Sequence, residues 1–477
     1  MRSGRAHRTP NQALRLLLAE AEWSGAQLAR EVNALGAAQG TALHYDRTAV
    51  AHWLAGSRPR QPVPSLVAEA LSRRLGRPVR EQDTGLTSTG AAVHDSGAPR
   101  GERSAVGSLD EVLRAAGRRR IALGGAYSLA ALALPYGPLT VPDGPPAPRR
   151  GQPGVPHGPS ELKRPSPVAP GRVDLTHVAS ACELLALFSR GDAVLGAGPV
   201  YEPLRQYLAA TLLPWLRRDM KPAVRRELLT AASRLTYLCA FTHFDMNRQA
   251  AAQRLYLTSI DLAREAGDRI GCGLALRGLS VQAHALGHFA EAQHLAENAA
   301  EMALRHVPPH QQAFFYGQVA VTLAGRGDAR HARHLVAADR CLERSPSGDT
   351  PVGAFHPGSL AFQRAAVATS RGDRHAAARA LDLSLRHRPA DERRSRALSL
   401  AELAETQLAI GHLEQACRTW HEFLDVYPRI HSARAEDRVR VLTAKAWPHS
   451  GNPVVAALLS RVREVQRRGP RSHGSPS

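Results

Sequence analysis

Arg47, Thr48, Ala51 and His52 recur at the spacing that keeps side chains on one face of a helix, and each type can address the edge of a base pair. The guanidinium of Arg47 can donate two parallel hydrogen bonds to one guanine. Thr48 and His52 can bond a base or a phosphate, and Ala51 is small enough to approach a thymine methyl group. Ser57, Arg58 and Arg60 follow at once and suit phosphate contacts, which fix register without reading sequence. The chemistry on offer is hydrogen bonding to a double helix, with no covalent step.

These residues need a short, firmly ended helix, and the stretch RTAVAHWLAGSRP predicts one. Asp46 caps it, Tyr45 staples onto Val50, Val50, Trp53 and Leu54 face inward, and Gly56 stops it. Two helical patterns precede it. In the first, Thr9 caps, Pro10 takes the first helical position, and Leu14, Leu17, Leu18 and Ala21 share a face. In the second, Ser24 and Gln27 form a capping box, Trp23 staples onto Leu28, and Leu28, Ala29, Val32 and Leu35 make the buried stripe. A fourth helix starts near Pro64, buries Val67, Ala70, Leu71 and Leu75, and ends at Gly76 before Pro78.

With Gln-Leu-Ala early in the second helix and Trp-Leu-Ala-Gly closing the third, residues 10–86 resemble the helix-turn-helix domain of phage-repressor-like (Xre-type) regulators. That resemblance implies DNA binding through Arg47, Thr48, Ala51, His52, Ser57, Arg58 and Arg60. The chain differs from the family pattern at Gly25, where a polar phosphate contact is usual. It differs again in the long connection GAAQGTALHY between the second and third helices.

The 477-residue chain carries a formal net charge of +20. Residues 1–88 hold 12 arginines against 7 acidic residues, a net of +5, while residues 89–172 add another +5 and the remaining +10 is spread over the C-terminal region. Basic character therefore agrees with a polyanionic partner without selecting one. Cys182, Cys239, Cys272, Cys341 and Cys417 show neither disulfide nor metal spacing, and they read as buried thiols of a cytoplasmic protein. No secretory signal is expected at Met1–Pro10.

Arg118, Arg119 and Arg120 precede the apolar run IALGGAYSLAALALP. The run is short for a bilayer, so the expectation is an apolar helix near residues 110–135 docked on another domain, with no membrane partner. Flanking Gly-, Ser- and Pro-rich stretches, above all residues 136–171, read as tethers.

From residue 173 a repeat appears. Gly287, Gly327, Gly372 and Gly411 are each preceded seven residues earlier by a small residue (Ser280, Ala320, Ala365, Ala404) and followed five later by alanine (Ala292, Ala332, Ala377, Ala416). Each unit predicts a helical hairpin whose glycine ends the first helix, and an earlier hairpin from Pro222 to Ala266 fits without the glycine. The register resembles the tetratricopeptide repeat. That implies a concave groove for a protein or peptide.

No catalytic, metal or cofactor signature emerges. His331 and His334 share a helix face without further ligands, and the glycines near Gly196 follow no strand. The expected fold is all-α: a helix-turn-helix domain at 1–86, a linker at 87–172, a tetratricopeptide-like α-solenoid at 173–465, and a tail at 466–477. This layout resembles actinomycete transcriptional regulators, among them repressors of differentiation and antibiotic production, and peptide-pheromone receptors of the same two modules. The resemblance implies a regulator, and homodimerisation is part of that expectation. The alternative is an interaction scaffold without DNA affinity, and an enzyme ranks third.

Overall fold

A computed structural model describes residues 9–38, 42–75, 77, 79–87, 104–117, 127–129, 131–132, 172–345 and 355–468. Gly76, Pro78, residues 118–126, the Pro-rich stretch 136–171 and the tail from 469 onward lie outside the described residues. Among the described residues every regular element is helical.

The N-terminal module comprises α1 (Gln12–Glu20), α2 (Gly25–Ala38), α3 (Arg47–Leu54) and α4 (Val63–Leu75), followed by a 3-10 turn at Glu81–Thr84. Leu14, Leu28, Val32, Val50, Leu66 and Leu71 are fully buried in one core, where Trp53 meets Tyr45 edge to face at 5.2 Å between centroids. The box at α2 forms as expected: Gln27 Oε1 accepts from the Ser24 N–H at 2.8 Å, and the Gln27 N–H donates to Ser24 Oγ at 3.3 Å. The cap of α1 does not. Asn11, rather than Thr9, takes it, because its carboxamide serves two partners at once: Oδ1 accepts from the Leu14 N–H at 3.0 Å while Nδ2 donates to the Thr84 carbonyl at 2.8 Å. Thr9 offers a cap but no such reach across the domain.

Of the apolar helix expected near 110–135, only the first residues fall in a described helix, α5 (Ala105–Gly117); residues 118–126, 130 and 133–135 lie outside the described residues. Tyr127, Leu129 and Leu132 lie outside any helix and are buried in the same core as the array that follows.

That array opens with α6 (Leu175–Leu195), α7 (Ala197–Tyr207) and, through a π-turn at Leu208–Leu212, α8 (Leu213–Leu216). Hairpins follow: α9 (Pro222–Asp245) with α10 (Gln249–Ala266), α11 (Arg269–Ala285) with α12 (Phe289–Ala303), and α13 (Pro309–Gly325) with α14 (His331–Arg344). Three more complete it: α15 (Pro357–Ser370) with α16 (Arg374–His387), α17 (Arg393–Ala409) with α18 (Leu413–Val426), and α19 (Ala433–Ala446) with α20 (Pro453–Arg468). Each hairpin packs against the next, so the apolar faces are buried between neighbours as in a solenoid.

The repeat glycines sit two residues past their helices with φ between 73° and 88°, the left-handed region that side chains avoid. A Cβ at any of the four would meet nothing within 4 Å, so backbone conformation alone requires glycine. The earlier hairpin solves the same problem with Asn247, at φ 57°. Its neighbours Ala240 and Ala252 are fully buried and keep the same spacing, so this unit is a full member of the repeat. In one hairpin the pairing of small residues is also a hydrogen bond, Ser280 Oγ donating to the Ala292 carbonyl at 2.7 Å. Ala332 is the exception and is exposed. There α14 begins four residues after the glycine instead of two, which turns Ala332 outward and His331 inward.

The last hairpins curl back onto the first helices. Arg394 of α17 pairs with Asp192 of α6 at 2.5 Å, both buried, and lies 4.0 Å from Asp245 of α9. Ser432 Oγ donates to Asp245 at 2.8 Å, the His431 N–H to the Leu195 carbonyl at 2.7 Å, and the Gly198 N–H to the His431 carbonyl at 3.0 Å. Between α11 and α13, the first helices of neighbouring hairpins, Arg277 is buried over the Phe314 ring and donates to the Phe314 carbonyl at 2.9 Å.

Candidate nucleic-acid interface

Helix α3 is held at both ends by its own sequence. Asp46 Oδ1 accepts from the Ala49 N–H at 2.9 Å, and that bond holds the exposed Asp46 carboxyl below the usual carboxylate range, with further help from Thr48. At the far end Gly56 takes φ 97°, its N–H bonds the Trp53 carbonyl at 3.1 Å, and the Ser57 N–H bonds the His52 carbonyl at 2.9 Å. This is a Schellman closure, so eight residues keep a helical face without relying on propensity alone.

The two faces divide as the spacing predicts. Val50 and Trp53 are buried, and Arg47, Thr48, Ala51 and His52 are exposed. Arg58 and Arg60 are exposed just beyond the helix, with Ser57 half-buried. Arg47, Arg58 and Arg60 make no ion pair with any described residue. Their guanidiniums are therefore available to an incoming anion, in contrast to Arg73 and Arg77, which pair with Glu69 and Glu20.

Three residues that position this face carry no signal in the motif itself. Gly25 opens α2 where α3 comes close: a Cβ there would lie 3.3 Å from Val50 Cγ1 and 3.9 Å from the Arg47 carbonyl. The glycine thus serves the packing of the two helices. Asn33 anchors the returning end of the long connection, accepting from the Tyr45 N–H at 2.9 Å and donating to the Tyr45 carbonyl at 2.8 Å. Leu43 and Tyr45 then enter the domain core beside it. An asparagine on a polar position of α2, twelve residues before an aromatic at a helix entrance, was the available clue.

The third is Glu69, buried in α4, which accepts from Arg73 Nε at 2.7 Å and from the Leu129 N–H at 2.9 Å. Burial pushes its carboxyl above the ordinary range, and those two donors oppose the shift. Next to Leu129, the Ser128 N–H donates to Gln253 Oε1 at 2.8 Å and Gln253 Nε2 returns a bond to the Ser128 carbonyl at 2.7 Å. Tyr127 stacks on His288 at 5.5 Å between centroids. Residues 127–129 therefore join α4 of the N-terminal module to α10 and the start of α12, and the outer face of α3 remains exposed while they do so.

Among the described residues no group of three or more His, Cys, Asp or Glu side chains is gathered as a metal site requires. His331 is used structurally, its Nδ1 lying 2.8 Å from the Asp328 carbonyl. Four cysteines are buried, but Cys182 is exposed, against the expectation of uniformly buried thiols. It lies on the outer face of α6, where the helical pattern alternates weakly. No helix among the described residues is long and apolar enough to cross a membrane.

No curated protein matches the chain. Residues 14–87, from α1 through the 3-10 turn, match the family model of the SP15 N-terminal domain.

Proposed function

We propose that the chain is a DNA-binding transcriptional regulator, acting as a repressor, in which α3 reads the major groove and the helical array receives a protein or peptide. The observation that carries this reading is the exposed set Arg47, Thr48, Ala51 and His52 on a helix capped at both ends, flanked by unpaired Arg58 and Arg60. A homodimer would place two such helices on successive major-groove faces. Free thiols suit a reducing cytoplasm.

Genome-wide capture of DNA with the tagged full-length protein, followed by mobility-shift titration of the enriched segments, tests the reading. Saturable binding that survives excess competitor DNA supports it. The second reading, a helical interaction scaffold, draws on the docking of α4 through the buried Glu69, which makes the N-terminal module part of one assembly. Absence of any enriched segment, with intact folding, favours that scaffold.

A further inference from the structure

Helices α16 and α18 both pack on α17, and a cleft opens between them. Its larger part is a cavity of about 440 Å³, a volume in the range of ligand and peptide pockets. A second cavity of about 210 Å³ shares Arg396 with it and continues toward the end of α18.

The lining follows helical stripes. From α17 come Arg393, Arg396, Leu400, Leu403 and Gln407, spaced so that one flank of the helix faces the cleft for about 21 Å. From α18 come Gln415, Arg418, Glu422 and Asp425, again along one flank, and Arg429 follows from the 3-10 turn just beyond it. Leu385, Leu400 and Leu403 form an apolar floor, and polar groups make the rim.

The rim charge is unbalanced. Asp382 is neutralised by Arg386 on its own helix, and Asp425 by Arg461 outside the cleft. Arg393, Arg396, Arg418 and Arg429 form no ion pair with a described residue, and Glu422 is the one acidic lining residue without an ion pair among the described residues. A long cleft with a leucine floor and a net positive rim is complementary to an amphipathic segment that sets apolar side chains against the floor and carboxylates against the rim.

We infer that the cleft between α16 and α18 is a docking site for an acidic amphipathic helix of a partner protein. It lies between the second helices of neighbouring hairpins, whereas Arg277 and Phe314 pack between first helices. The inference deepens the partner half of the proposed function and does not depend on DNA binding.

The test uses the full-length protein and fluorescence anisotropy with a labelled synthetic peptide as long as α18, 14 residues. The peptide carries leucine every third or fourth position and Glu or Asp between. Controls replace the acids by lysine or the leucines by serine. Saturable binding of the acidic peptide alone, weakened tenfold or more by Arg393→Glu with Arg418→Glu, is the expected result. The same double variant should gain binding of the lysine peptide, a readout that a misfolded array could not give. Absence of saturable binding by the acidic peptide, equal binding of the acidic and lysine peptides, or affinity unchanged by the reversal overturns the assignment. Failure of DNA binding with peptide binding intact would overturn only the DNA reading.

Discussion

The carboxamide of Asn33 holds both backbone polar groups of Tyr45, at 2.9 Å to the N–H and 2.8 Å to the carbonyl, twelve residues away across the long connection. Through this pair α2 fixes Tyr45, and with it Asp46, at the point where α3 starts. Removing the carboxamide strands two partly buried backbone groups, so Asn33→Ala should destabilise the N-terminal module by about 1 to 3 kcal/mol. Thermal melting of residues 1–88 measures it, and an unchanged midpoint would show that the pair is dispensable.

Gln253 provides the matching clamp on the array side, with its two bonds to Ser128. Gln253→Ala should leave the array folded while releasing residues 127–129 and, with them, the hold on Glu69. Hydrogen exchange should then accelerate at Ser128 and Leu129 by at least tenfold, with α10 to α20 unaffected. Unchanged protection would place the hold elsewhere, in the Tyr127–His288 stack.

Ala365 is buried against Leu381 and Leu403, at the point where α15 meets its neighbours. Leucine at this position overpacks the contact, and a loss of about 1 to 3 kcal/mol is expected, passing mainly to adjacent hairpins. Urea denaturation should show a lowered midpoint for the array but not for the N-terminal module.

Burial pushes the His243 imidazole down to about 4, from an ordinary value of 6.5. Its Nδ1 lies 2.9 Å from the Cys239 carbonyl, and its ring meets Tyr201 edge to face at 4.7 Å between centroids. Above pH 6.5 the group is neutral in both folded and unfolded chains and its stability contribution is complete. As pH falls from 6.5 toward 4 the unfolded chain takes up a proton that the folded one refuses, so stability drops. The loss between pH 7 and pH 5 amounts to about 2 kcal/mol. The difference in pH slope between wild type and His243→Phe isolates it, and equal slopes would contradict it.

Local chemistry made much of the fold legible. Ser24 with Gln27, Asp46 with Ala49, and the repeat glycines act within a few residues, so their helix ends are readable from the chain alone. Asn247 escaped because asparagine adopts the left-handed conformation without announcing it. Asn11 displaced Thr9 through a bond to Thr84, 73 residues away. The return of the array on itself depends on Arg394 and Asp192, 202 positions apart, and nothing in either neighbourhood forecasts that pairing. The candidate interface divides the same way. Its exposed face follows from helical spacing, whereas Asn33, Gly25 and Glu69 act through partners that only the folded chain brings near.

The central claim is that α3 reads base edges while Arg58 only holds the backbone. The most direct measurement is a titration of wild type, Arg47→Ala and Arg58→Ala against a captured DNA segment and its single-base variants. Arg47→Ala should weaken binding to the preferred segment by about 1 to 3 kcal/mol and flatten the preference at one base pair, while Arg58→Ala weakens all segments alike. Equal, sequence-independent losses in both variants, or no loss in either, would contradict the account.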